Sequence, residues 1–196
     1  MKRNIPLRLG GLAALLAGVL LIFSDLLQLY IRLIDPGSFR SILFLDGLLG
    51  VLLAVLVQLG VVALYAPRAR TLGILGVLGF VTVAIGVRIA MGSSFVFAFI
   101  KPIVGPWDAE FFEEPVGSIL RLGLTFVLGW VLLGVAMLRA DAYPRAATAL
   151  LIVGTLILLL PLPLSDLIFA GVVAWLGYAL FTGRAEGQDS LASSPP

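Results

Sequence analysis

The chain contains no cysteine and no histidine. The first absence excludes disulfides, thiolate nucleophiles and cysteine-bound clusters. The second removes the commonest metal ligand and the commonest general base. Charge is scarce as well. Only 12% of the 196 residues are Asp, Glu, Lys or Arg, against about 25% in an ordinary soluble domain. The sequence has no HExxH pair, no phosphate-binding P-loop and no dinucleotide-binding glycine pattern. It carries no nucleic-acid signature either. These absences predict a non-enzymatic protein with no cofactor, no metal site and no nucleic-acid partner.

What is present is apolar. Hydrophobic residues make up 61% of the chain, too many for the surface of a water-soluble globule. Continuous apolar runs recur at the roughly 20 residues needed to cross a hydrocarbon core of about 30 Å. A transmembrane barrel would instead show short alternating segments. The expected fold is all-α: a polytopic transmembrane bundle of six spans, Pro6–Ile34, Phe39–Tyr65, Thr71–Ile100, Val116–Leu138, Arg145–Leu160 and Leu164–Thr182. Turn chemistry marks the breaks: "DPG" at Asp35–Gly37, "APRAR" at Ala66–Arg70, "AYPR" at Ala142–Arg145 and "PLPLSD" at Pro161–Asp166. Pro144 suits the start of a helix, where no N–H bond is needed. Residues 1–183 form one transmembrane domain on this reading. The polar tail 184–196, ending in two prolines, is expected to be disordered.

The net charge of +2 says less than its placement. Lys2, Arg3, Arg8, Arg68, Arg70, Arg139, Arg145 and Arg184 all fall on one side of a six-span chain. The longest opposite loop, "GPWDAEFFEEPVG", is acidic. The positive-inside rule therefore predicts both termini in the cytoplasm. The N-terminal apolar run outlasts a signal-peptide core and continues past any small-residue cleavage site, so a retained first helix is expected.

Six charged residues sit on predicted spans: Asp25, Arg32, Asp46, Arg88, Arg121 and Asp166. On insertion scales a central Arg or Asp costs about 2.5–3.5 kcal/mol, and such residues usually face a partner or water. Given alternating directions, all six fall in the outer half at overlapping depths. Three acids and three bases could neutralise one another as a buried network. Asp25, Gln28 and Arg32 share one helical face. In the third span Gly76, Gly79 and Gly86 share another, which would admit a close neighbour, while Arg88 lies nearly opposite Gly79. Arg88 is expected to pair with Asp46, Asp25 or both, with Asp46 preferred because consecutive helices are usually adjacent. Other readings stay open. Asp166 follows Ser165 at a helix start, where an acid complements the dipole. Arg32 and Arg121 could snorkel to headgroups. The central trio is either a packing pin or a substrate or proton site.

Further features are weaker. "PWDAEFFEEP" reads as an acidic outer loop with aromatic anchors, or as a lid drawing in cations. The spacing of Ser93 and Ser94 from Lys101 is not diagnostic of a Ser–Lys pair. Trp130, Trp175, Tyr178 and Tyr65 are expected to pack or to anchor at the interface. Ala14 and Gly18 form a small-xxx-small pair. Segments beginning "RLG" at Arg8 and Arg121 open the first and fourth spans, which would suit a three-plus-three inverted repeat.

The stretch "GWVLLGVAMLRADAYPRAATALLIVGTLILLLPLP", followed by "AWLGYALF", resembles a broad group of small multi-pass bacterial membrane proteins of unknown function. The resemblance covers the C-terminal third, and its motifs mark helix ends. It implies a bacterial cytoplasmic-membrane address and no site residues. The function expected first is an accessory, sensory or interaction protein in the lipid bilayer, partnered by a second copy or another membrane protein. The alternative is a small-solute or proton-coupled transporter with an outward-open polar site.

Overall fold

Leu and Ala dominate the apolar runs and are strong helix formers. In an apolar medium a helix also satisfies every interior backbone group within itself. A computed structural model of the chain describes residues 5–33, 39–96, 99, 115–141, 143, 145–159 and 165–182, and among these the regular structure is helical throughout. The order is α1 Ile5–Leu33, α2 Phe39–Tyr65, a 3-10 turn Ala66–Arg68, α3 Ala69–Phe95, α4 Pro115–Arg139, α5 Arg145–Ile157 and α6 Ser165–Phe181. The all-α expectation holds. The tail 184–196, Lys101, and residues 105–114 of the acidic loop lie outside the described residues.

Each helix packs on its neighbours in sequence, and α6 returns to α1, so the six close into a ring. Neighbours run antiparallel. Gly10 meets Ala63 and Gly60 meets Ala14 between α1 and α2. Gly50 meets Ser94, and Tyr65 stacks on Phe80 at 4.4 Å, between α2 and α3. That register centres the chain reversal on Gly73, whose φ of 61° and ψ of −160° break the helical path. Only glycine adopts this backbone region readily. The turn chemistry at Ala66–Arg70 therefore marks the approach, and the reversal itself comes at Gly73.

Two interfaces, α1 with α6 and α3 with α4, are the most extensive, and they stand on opposite sides of the ring. Both use the same device. Gly11 and Gly18 on α1 lie against α6 near Phe181 and Ala174, and Gly177 of α6 inserts between them at Leu15. Gly79 and Gly86 on α3 lie against α4 at Leu133 and Phe126, and Gly129 of α4 inserts between them at Val83. The glycine face expected on α3 thus does admit one close neighbour. Gly76 packs on Leu72 across the break instead. In this device α3 plays the part of α1 and α4 that of α6, whereas the "RLG" match would align α1 with α4.

On α1, small side chains face inward and large ones outward. Ala13, Ala14 and Ala17 of α1 are buried, while Leu16, Val19, Phe23 and Leu26 of the same helix are exposed. The same outward display recurs in Leu52, Val55 and Leu59 of α2 and in Val77, Leu78 and Val81 of α3. Arg8–Leu27 and Gly47–Gly92 are long and apolar enough to cross a membrane, and in each an 18-residue apolar stretch is only 39% buried. The second segment is the α2–α3 hairpin, folded at Gly73. Buried hydroxyls are satisfied locally, as apolar surroundings require: Thr155 Oγ1 donates to the Leu151 carbonyl at 2.6 Å.

Among the described residues, the end of the ring at which α1 begins and α6 finishes is sealed. Tyr143, from the α4–α5 connection, is buried and donates its hydroxyl to the Leu64 carbonyl at the end of α2 at 2.8 Å. The Arg68 guanidinium covers its ring at 4.4 Å. Asp141 terminates α4 with a φ of 45° and pairs with Arg145 at 2.9 Å. That pair is exposed and contributes little to stability.

The other end is incomplete because α5 is short. Its 13 residues span only about 20 Å, less than a hydrocarbon core of about 30 Å. This corrects the expectation of a fifth full span to Leu160. The helix gives way at Leu158 and Leu159, whose N–H groups donate to the carbonyls of Thr155 and Leu156, three residues back. Pro161 and Pro163 follow, and proline disfavours helix in the residue before it and supplies no N–H.

Two outcomes follow from this packing. A methyl on Gly18 would lie 2.5 Å from the Ala174 backbone nitrogen, so Gly18→Val should destabilise the detergent-solubilised protein by about 1–3 kcal/mol or more. Gly171 has open space around it, and Gly171→Ala should be neutral or stabilising by up to about 1 kcal/mol. Thermal unfolding checks both. Burial pushes the Tyr143 hydroxyl up to about 12 from the usual 10.0, with Arg68 pulling the other way. Because the folded value is raised, its contribution is complete below pH 10 and is lost as pH rises toward 12. A difference in stability between pH 9 and pH 12 that is smaller in Tyr143→Phe than in wild type, by roughly 2 kcal/mol, is the expected reading.

Candidate functional site

A cavity of about 360 Å³ occupies the end of the ring opposite the start of α1 and the finish of α6. Every helix reaches it, α5 through the turn that follows it. Among the described residues its polar groups are Ser24 and Asp25 on α1, Ser94 on α3 and Asp166 on α6. Leu53, Ala54 and Val57 of α2 and Val87 of α3 supply apolar wall. Phe126 of α4, Leu158 after α5 and Phe169 of α6 complete it. The volume lies within the range of small-molecule sites, which are mostly apolar with a few placed polar groups.

The two carboxylates are brought level by the α1–α6 seam. Gly11 faces Leu180, Gly177 faces Leu15 and Gly18 faces Ala174. Continuing that antiparallel register places Asp25 opposite the first turn of α6, where Asp166 stands. Asp25 is half-buried and Asp166 is exposed. Asp166 stands in the first turn of α6, where an acid complements the positive end of the helix, and its residue lines the cavity.

The floor is aromatic. Phe126, Trp130 and Phe169 meet edge to face with centroids 5.9–6.2 Å apart. Below them a void of only about 20 Å³ lies between Val57, Val61, Trp130 and Leu151. Trp130 is 3% exposed and its Nε1 has no hydrogen-bond partner among the described residues. Gln58 Oε1 on α2 is likewise buried without one. The axis is thus open above the aromatic cluster and closed beneath it, with Tyr143 at the far end.

Only part of the expected charge network falls within the described residues. Arg88 is exposed on α3 and is not among the residues lining the cavity, and its Nη1 donates to the Ala84 carbonyl of its own helix at 3.3 Å. Residues 32, 46 and 121 occupy helical positions toward the cavity end, but the side chains of Arg32, Asp46 and Arg121 lie outside the described residues. The pairing of Arg88 with Asp46 lies outside them too, as does the side chain of Ser93. Ser94, a candidate for a hydroxyl–lysine pair on sequence grounds, joins the cavity wall. Trp175 and Tyr178 are exposed, as interface anchors would be, while Trp130 is core.

No protein-family profile, curated protein or solved structure matches the chain. The chemistry of the cavity is therefore read from its own walls: two acids, two hydroxyls, aromatic rings and aliphatic surface.

The native chain has no cysteine, so a single introduced thiol reports its own surroundings. In detergent, Ser94→Cys should react with a water-soluble methanethiosulfonate. Ala17→Cys, at a position 0% exposed, should stay unlabelled until the protein is denatured.

Proposed function

We infer that this protein is a multi-pass membrane protein that receives a small solute in a cavity reached from the outer face. The observation that carries the reading is the cavity itself, on the axis of a ring whose helices show large apolar side chains outward. Such a display over several helices is unusual for a monomer in water. It fits a lipid surround, with small residues at the helix contacts. The short α5 supports the same reading. Non-helical backbone at membrane depth is tolerated where it lines a wet space, and Leu158, just beyond α5, is in the cavity wall.

On this reading the hairpin α2–α3 contributes two crossings, α1 one and α4 to α6 the remainder, with α5 completing its path through the proline-rich connection. The arginines at the sealed end, Arg8, Arg68, Arg70, Arg139 and Arg145, support placing that end and both termini in the cytoplasm. The resemblance in the C-terminal third supports a bacterial cytoplasmic membrane. The roles expected of the inner acids divide here. A packing pin would be dry, whereas Asp25 and Asp166 line an open space. Solute binding or passage is therefore preferred to a purely structural role, and no catalytic step is assigned.

A second reading rests on Arg88. An exposed arginine at this depth on the outer surface of α3 costs about 2.5–3.5 kcal/mol on insertion scales unless it meets a headgroup or a partner. Contact with an acidic group of a second copy or another membrane protein would relieve that cost.

Sidedness tests the main reading. In intact cells a membrane-impermeant thiol reagent should label Ser94→Cys and spare Arg70→Cys; in inside-out vesicles Arg70→Cys should become reactive. Labelling of both positions from one side contradicts a membrane-crossing ring.

A further inference from the structure

We propose that the solute is an organic ammonium ion with an apolar or aromatic body, held with its charge toward Asp25 and Asp166 and its body against Phe126 and Phe169. The assignment rests on the solute-receiving role proposed for this cavity and names the ligand's chemical class. Three features of the wall converge on it. The acidic residues lining the cavity stand at one level on adjacent helices, and no Lys or Arg lines it among the described residues. The walls below that level are aliphatic and aromatic, so most of a bound molecule's surface would meet carbon. Rings near a cation also attract it through their negative faces.

The same walls argue against other cations. Calcium takes six to eight oxygen ligands, and magnesium requires near-ideal octahedral geometry. Among the described residues no group of three or more potential metal-ligating side chains gathers. A bare hydrated ion would leave the Phe126, Val57 and Phe169 surfaces unused. An anion would face two carboxylates. An ammonium ion uses both halves of the cavity: carboxylates and the Ser24 and Ser94 hydroxyls at one end, apolar wall at the other.

The test uses the full-length Ser94→Cys protein in detergent and in vesicles, with Asp25 and Asp166 unchanged. A cationic methanethiosulfonate, the ethyltrimethylammonium reagent, should modify the introduced thiol roughly tenfold faster than the anionic ethylsulfonate reagent, after correction for their rates on free thiol, because a cleft lined by one sign of charge concentrates the opposite ion. Benzyltrimethylammonium should slow labelling in a saturable way, and benzyl alcohol and benzoate should not. Asp25→Asn and Asp166→Asn, each added to Ser94→Cys, should reduce the rate ratio. Faster modification by the anionic reagent, or protection by benzoate alone, overturns the ammonium assignment while leaving a solute-binding cavity in place. Equal rates with no protection by benzyltrimethylammonium overturn it as well. If neither reagent reaches the thiol in folded Ser94→Cys protein, the cavity is closed and the solute-receiving role falls with the assignment.

Discussion

Backbone-to-backbone approach at glycine is the constraint on which the rest of this bundle depends. In a hydrocarbon surround there is no hydrophobic force driving helices together, and close packing must supply the attraction. Gly11, Gly18 and Gly177 join α1 to α6, and Gly79, Gly86 and Gly129 join α3 to α4. These antiparallel pairs form two rigid seams. α2 bridges them on one side of the ring and α5 on the other. A side chain at any of these glycines would push a whole helix outward, so the seams fix the ring's diameter and hence the width of its axis.

The two ends of that axis are finished by different chemistry. At one, Tyr143 ties the α4–α5 connection to the end of α2, and Arg68 covers the ring. A single buried hydrogen bond contributes only about 0.5–1.5 kcal/mol, but here it joins segments from opposite sides of the ring. At the other end the prolines after α5 stop that helix early, and the space left over becomes a polar recess. The sealed end is rich in arginine and the recess carries aspartate. The charge asymmetry that suggests orientation also distinguishes closed from open.

Much of this is legible in the sequence for simple reasons. Apolar runs separated by proline and glycine mark the helices, and the seven-residue spacing of Gly79 and Gly86 marks the close face of α3. Three things are not legible. Ring closure through α1 and α6 depends on contacts between residues far apart in the chain, which no local period encodes. The reversal at Gly73 is hidden because one glycine among several in "TLGILGVLGF" carries no mark of its backbone angle. Which face of α3 carries Arg88 is the third, because helical spacing fixes angles between faces but not which face meets protein, and Arg88 stands on an exposed one. Lying opposite a packed glycine face implies a second neighbour in a filled bundle, but on the rim of a ring it means the outside. Counting along antiparallel helices does place Asp25 and Asp166 at one depth, and the structure gives that depth a cavity.

On the membrane-crossing reading proposed above, the abbreviated fifth helix has a consequence for the surrounding bilayer. A helix some 10 Å shorter than a hydrocarbon core leaves a notch in the helical wall beside Leu158. Acyl chains beside the notch have nothing of matching height to lie against, so headgroups and water must dip toward it, as bilayers thin around short hydrophobic segments. An amphiphile dissolved in the outer leaflet would meet the recess there from the side, polar end first, without passing through the aqueous mouth.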